Sequence, residues 1–306
     1  MARFQRRFHP HGRGKKLHPL AIVGISLGGA VLLAILIGNL LRLSLDEDTL
    51  DRLAGESEPP TEEQSEPQRT APSVRAYPFV LGDSTDVLLT DGELLINGVT
   101  VSVNTPTGQL CYTSPVATHQ GLTSVSKAEL RDSMLDLTAV IPYVCGVFYP
   151  QTPATTDTDL LYAAASADAA LLREFLHAGG SEILLVGMSF EAENLPYLAD
   201  YLTLLREFLE GTPVGLAVPL EVATSEDNWQ LLPALRQLSD YLAVDLREIP
   251  DGGMEEALLT AHYYTAQYQM SLLASAEQTQ WISAVEEAFT DYRIVSAPPK
   301  QEEAQG

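Results

Sequence analysis

From Tyr77 onward, short runs of consecutive apolar residues alternate with stretches whose apolar positions recur every three or four residues. The runs are Leu94–Val103, Val140–Tyr149, Glu182–Met188, Val214–Pro219, Tyr241–Leu246, Gln269–Ala274 and Tyr292–Val295. Such lengths and such uniform apolarity suit strands buried on both faces. Between them, Leu195, Leu198, Leu202, Leu205 and Leu209 lie at helical spacing, with Asn194 placed to cap, Pro196 in the first turn and Gly211 beyond the end. Further helices are expected over about 168–178, 227–238, 254–267 and 276–289. Strands separated by helices predict an α/β fold with a parallel sheet covered on its faces.

Seven strands and a weaker one near Tyr77–Leu81 predict a (β/α)8-like barrel, incomplete or irregular in its first third. There, Asp91-Gly92 and Asn97-Gly98 are turn signals, so a hairpin is expected in place of a helix. A doubly wound open sheet is the alternative, although no Gly-rich phosphate loop follows the first strand.

The N-terminal quarter follows other rules. Leu20 to Leu41 contains no charge, and as a helix rising ~1.5 Å per residue it spans about 33 Å, enough for a bilayer core. Residues 20–42 are therefore expected to form a transmembrane signal anchor after a basic cytoplasmic tail, 1–19. Arg3, Arg6, Arg7, Arg13, Lys15 and Lys16 precede the span and acids follow it, which places the N-terminus in the cytoplasm and the domain outside the cell membrane. The run is too long for a cleaved signal peptide and lacks a small-x-small site. Gly24 and Gly28 form a small-xxx-small pair suited to a weak dimer. With Ser26 they also match a hydrolase elbow, but a membrane helix lacks the strand-turn-helix that an elbow needs. Residues 43–75 form an acidic, Pro-rich stalk with little apolar surface to bury. They, and the tail 297–306, are expected to be disordered. The barrel domain is assigned to 76–296.

The net charge of −23 sharpens this partition. Six of the 18 basic residues precede Leu20, leaving 12 against all 41 acidic residues. Nucleic acid is excluded as a partner of the outer domain. The two cysteines, Cys111 and Cys145, are too few for a disulfide framework, and both a bridge and two free thiols stay open. No His or Cys spacing suits a metal, and no cofactor is expected. The lipid bilayer, through residues 20–42, is one expected partner and a polysaccharide the other.

In a parallel barrel, functional groups project from the C-terminal strand ends. Those positions carry Ser102, Asn104, Tyr149, Glu191, Glu193, Glu221, Asp245 and Arg247. Glycoside hydrolysis needs two carboxylates flanking one bond, so Glu221 and Asp245, on adjacent strand ends, form the candidate catalytic pair. Ser102, Asn104, Tyr149, Glu191 and Arg247 are the candidate substrate contacts. Asp245 beside Arg247 also reads as a plain ion pair. Tyr263, Tyr264 and Tyr268 read as helix cover rather than as a sugar platform.

Val99 to Ser114, VTVSVNTPTGQLCYTS, resembles the first strand and loop of a family of bacterial, membrane-anchored glycoside-hydrolase-like TIM barrels. In that family a strand ending Asp-x-Lys leads to a Gly and then Tyr-x-Ser, which Gly108 and Tyr112-Thr113-Ser114 match. The next strand carries an Ala-Arg stretch and Phe-x-Asp. Here Val144 to Pro150 keeps Phe148 without the Arg or Asp, and Ser102 and Asn104 stand where Asp and Lys are expected. The resemblance implies a barrel of sugar-related ancestry, and its departures remove acid–base groups. Two functions follow as expectations. One is a membrane-anchored barrel that binds or weakly processes a polysaccharide. The other is a noncatalytic scaffold at the cell envelope.

Overall fold

The computed structural model describes residues 73–296 except 91–92, 95, 152–154, 156 and 226–230. The chain divides into two units, Met1–Gln68 and Arg69–Gly306, and every described residue belongs to the second. The expected membrane span with Gly24 and Gly28, the stalk as far as Pro72 and the tail 297–306 lie outside the described residues. Among the described residues no helix is long and apolar enough to cross a membrane.

The first part of the barrel domain is built from β1 (Arg75–Pro78), the short strands β2 (Leu89–Thr90) and β3 (Glu93–Leu94), and β4 (Gly98–Ser102). Then come β5 (Val144–Phe148), β6 (Glu182–Leu185), β7 (Val214–Pro219), β8 (Tyr241–Asp245), β9 (Ser271–Ser275) and β10 (Tyr292–Val295). Eight of these close a parallel barrel in the order β1-β10-β9-β8-β7-β6-β5-β4, and β1 seals it by pairing with both β10 and β4. Closure overturns the open-sheet alternative. The irregularity lies in the connections instead. Among the described residues between β1 and β4 there is no α-helix. A 3-10 turn at Thr85–Leu88 and the antiparallel pair β2–β3 fill the gap, so the expected hairpin takes the helix's place, while Asp91-Gly92 lies outside the described residues. Asn97-Gly98, by contrast, makes no turn. Gly98 begins β4, while the Asn97 amide donates to the Ser73 carbonyl and accepts from the Arg75 N–H, pinning β4 to the start of β1.

The helices are α1 (Pro115–Gln120), α2 (Leu130–Val140), α3 (Thr158–His177), α4 (Leu195–Phe208), α5 (Leu220–Thr224), α6 (Leu231–Leu238), α7 (Met254–Tyr268) and α8 (Thr279–Ala288). The helix expected from Asp168 begins ten residues earlier, where the Asp157 carboxylate accepts from the N–H groups of Asp159 and Leu160. Asn194 stands at the N-cap of α4 without capping it through its side chain; its amide turns back to Ser189 and Glu191. Three helices are tied to later ones by one device. Arg173 of α3 donates to the Phe208 carbonyl of α4, Arg206 of α4 to Gln237 of α6 and Arg236 of α6 to Gln269 after α7, so each guanidinium meets orphan carbonyls at the end of a later helix.

Side chains alternate across each strand, inward and outward. The outward set, including Val99, Val144, Phe148, Ile183, Leu216, Val244 and Ile294, packs under the helices. The inward set forms its own cluster of Cys145, Val147, Leu184, Val186, Ala217, Tyr241, Ala243, Leu273 and Val295. The interior is therefore packed rather than hollow. At the N-terminal ends of the strands it becomes polar. Arg293 of β10 donates Nε to Glu182 Oε1 of β6 at 2.6 Å, and Nη1 to Ser271 and Asp291. Tyr143 donates its hydroxyl to the other Glu182 oxygen. The Arg293 guanidinium lies 4.4 Å from the Tyr241 ring centroid. That ring fits because its neighbour is Gly215, where a Cβ would come within 2.1 Å of it. Arg293 and Glu182 are each 1% exposed. Burial works against the Glu182 charge, but the guanidinium outweighs it and holds the carboxyl below its usual value. Cys111 and Cys145 are free thiols, and burial pushes Cys111 up to about 11.

Candidate functional site

At the opposite end, Asp245 closes β8 with the same inward parity as Tyr241 and Ala243, so its carboxylate enters the barrel mouth. Arg247, two residues on, folds back over it. Its Nε lies 2.9 Å from Oδ1, its Nη2 2.7 Å from Oδ2, and its backbone N–H also donates to Oδ1. The remaining guanidinium nitrogen, Nη1, donates to the Tyr149 hydroxyl beyond the end of β5. β5 and β8 are three strands apart in a ring of eight, so this bond crosses the mouth. Burial disfavours the Arg247 charge, but the bonds to Asp245 outweigh it and hold the guanidinium above its usual value. Tyr149 is also raised, chiefly by burial, and stays a neutral phenol.

Tyr149 is held from several sides. Its backbone N–H donates to Asn104 Oδ1 and its carbonyl accepts from Asn104 Nδ2, both at 2.8 Å, which extends the β4–β5 ladder past Ser102. The Arg247 guanidinium lies 5.5 Å from the ring centroid. Gly187, at φ +72, brings its backbone so near that a Cβ would stand 3.2 Å from the ring. The phenol is thus wedged between a glycine and a guanidinium, and it works as part of a strap.

The other sequence candidates fall into two groups. Ser102 ends β4 half-buried at the mouth, paired in register with Val147. Asn104 is 2% exposed and both its side-chain groups are committed to the Tyr149 backbone. Glu221 stands in the first turn of α5, exposed, and no hydrogen bond or ion pair among the described residues joins it to Asp245. Glu191 and Glu193 are exposed ahead of α4, and Glu191 accepts from Asn194 at 3.3 Å. The structure therefore joins Asp245, Arg247, Tyr149 and Asn104 into one network, and it leaves Glu221, Glu191 and Glu193 on the rim. The reach of Arg247 to Tyr149 escaped the sequence reading because the partners lie 98 residues apart.

Two grooves open on the outer surface instead. One of about 840 Å³ lies among α1, the start of α2 and α3, with Arg131, Arg173, Glu129 and Glu174 in its lining. A second, of about 550 Å³, shares Arg173 and His177 and runs toward Pro213. Tyr263, Tyr264 and Tyr268 form an aromatic series along α7, with Tyr264 and Tyr268 stacked at 5.9 Å and Tyr268 packed on the core. Among the described residues no three His, Cys, Asp or Glu stand together as a metal site.

An inward carboxylate, a clamped arginine and a phenol at the C-terminal mouth define a β/α barrel with a polar, internally bonded mouth. No family model matches the chain, and no curated protein matches it by sequence. Solved structures with a similar fold include a protein assigned as an alpha-L-fucosidase from Bacteroides thetaiotaomicron (10% identity, 79% of this chain and 91% of that one, TM-score 0.49). Others are a protein assigned to copper homeostasis from Streptococcus agalactiae (12%, 73% and 98%, 0.44) and an endo-beta-N-acetylglucosaminidase from Cordyceps militaris (14%, 72% and 79%, 0.42). At such scores and identities these likenesses transfer no chemistry. The barrel rests on its own strand pairing.

Proposed function

We propose that this chain is a noncatalytic glycan-binding barrel, held at the cell envelope by the apolar segment 20–42, with the mouth as its binding surface. The observation that carries this reading is the Arg247 strap. A glycosidase needs one carboxyl free to donate a proton and a second free to attack or activate water. Asp245 has both oxygens engaged by Arg247, and Glu221 stands exposed with no link to it. The same fixing suits recognition. A phenol hydroxyl, a guanidinium and a carboxylate, held rigid and half-buried, present preset donors and acceptors to sugar hydroxyls without a reordering cost. The sugar-related ancestry implied by the sequence resemblance points the same way.

The test is a glycan-binding screen of the full chain in uncharged detergent, repeated with Arg247→Ala and Glu221→Gln. Binding that survives Glu221→Gln and is lost in Arg247→Ala is expected. The second reading is a protein-interaction scaffold, favoured by the wedging of Tyr149 between Gly187 and Arg247. Absence of binding to every glycan would select it.

A further inference from the structure

Helix α7 buries one side and leaves the other uncovered. Met254, Ala257, Leu258 and Ala261 pack on the core, while Leu259 and Tyr263, one turn apart on the outer side, are 71% and 60% exposed. Among the described residues no other helix exposes two large apolar side chains at that spacing. His262 and Ala266, also exposed, extend the stripe. Tyr263 is not a loose ring. It meets Tyr264 edge-on at 5.2 Å, and Tyr264 stacks at 5.9 Å on Tyr268, which packs on the core. A side chain that is exposed yet already held in place loses little further freedom when it is covered. Charge is absent from the same face. From Ala257 to Ala276 there is no Asp, Glu, Lys or Arg, in a chain with 41 acidic and 18 basic residues. Acids return just outside it, at Glu255 and Glu256 in the first turn of α7 and at Glu286 and Glu287, exposed on α8.

We infer that this face joins two copies of the chain, by an antiparallel crossing of α7 on its counterpart. Two acidic bodies repel each other, so they meet over surface that carries no charge. A two-fold axis beside Ala261 sets Leu259 against the partner's Tyr263 and makes every contact twice. The same axis sets Glu255 against the partner's Gln267 and Glu256 against the partner's Ala266. A parallel pairing would stack acid on acid. The face therefore complements itself in the antiparallel sense alone. At 15 residues, α7 is about 22 Å long. Two helices of that length, crossing, cover less than the ~800 Å² per partner of a stable interface, so the association is weak and reversible. It stands apart from the mouth and holds whether or not the mouth binds glycan.

The experiment is sedimentation equilibrium of the full chain in density-matched, uncharged detergent, at low and at physiological salt. A monomer–dimer equilibrium with a dissociation constant on the order of 10–100 μM is expected. It should tighten as salt rises, because salt screens the repulsion between the two bodies. Leu259→Asp and Tyr263→Asp each place a charge in the face of both copies, and each should weaken the dimer at least ~10-fold. Leu135→Asp, the same change at an exposed position of α2, should leave it unaltered. Circular dichroism of all three variants should match the unmodified chain, since each residue replaced is exposed. A chain that stays monomeric at every concentration and both salts would overturn the proposal. So would a dimer that loosens as salt rises, or one that both α7 variants leave intact and Gly24→Leu dissolves.

Discussion

Both ends of this barrel are spanned by an arginine, and the two spans differ in what surrounds them. At the floor, Arg293 reaches Glu182 on the strand directly opposite, and both side chains are 1% exposed. At the mouth, Arg247 reaches Tyr149 three strands away while gripping Asp245, at 14% and 11% exposure. The floor pair has left water completely, so each charge depends on the other. The mouth pair keeps an edge in solvent, where water could replace a lost partner. One arginine therefore fixes structure, and the other holds polar groups where a ligand can reach them. This division follows the general rule that barrel floors carry stability and barrel mouths carry function.

The comparison breaks most easily at the floor. Arg293→Met strands Glu182 as an uncompensated buried charge and should cost about 3–5 kcal/mol, read by denaturant unfolding of the full chain. Adding Glu182→Gln should recover part of that loss. A cost below about 1 kcal/mol in the single variant would show that the floor pair is not buried as described.

A second buried carboxylate sharpens the contrast through pH. Asp168, 8% exposed between α3 and α4, is raised from 3.8 to about 6 by burial, and only partly relieved by the Tyr201 hydroxyl that donates to it at 2.8 Å. A raised folded pKa means that the native state holds the proton more tightly than the unfolded chain does. That stabilisation is complete below the ordinary value and is lost as pH rises through about 6. Asp168→Asn should remove this loss, gaining on the order of 2 kcal/mol relative to the unmodified chain between acid and neutral pH. Parallel pH profiles for the two proteins would refute it.

The mouth should yield least. Arg247→Ala should cost about 1 kcal/mol, because Asp245 can turn to water and keep its bond from the backbone N–H of residue 247. A loss as large as that of Arg293→Met would make the mouth a second floor and remove its claim to a ligand.

How far these features were legible depends on separation along the chain. The runs at Val214–Pro219 and Tyr292–Val295 coincide with strands because nearly every residue in them is apolar, which few other structures tolerate. Helix α2 was missed, since Leu130, Met134 and Leu137 are thinly spread among polar residues. The first half of α3 was missed because its alanines carry little periodic signal. At the site, Asp245 and Arg247 sit two apart and their pairing was readable. Arg293 and Glu182 are 111 residues apart, and nothing local in either run marks them as partners. Only barrel closure brings them together.

Engagement of Asp245 by Arg247 is what withholds this mouth from catalysis, and turnover tests that most directly. The full chain, saturated with a bound oligosaccharide, is followed for release of reducing ends by mass spectrometry over days. An intact ligand is expected, in the unmodified chain and in Asp245→Asn alike. Steady cleavage that disappears in Asp245→Asn would contradict it and return the mouth to catalysis.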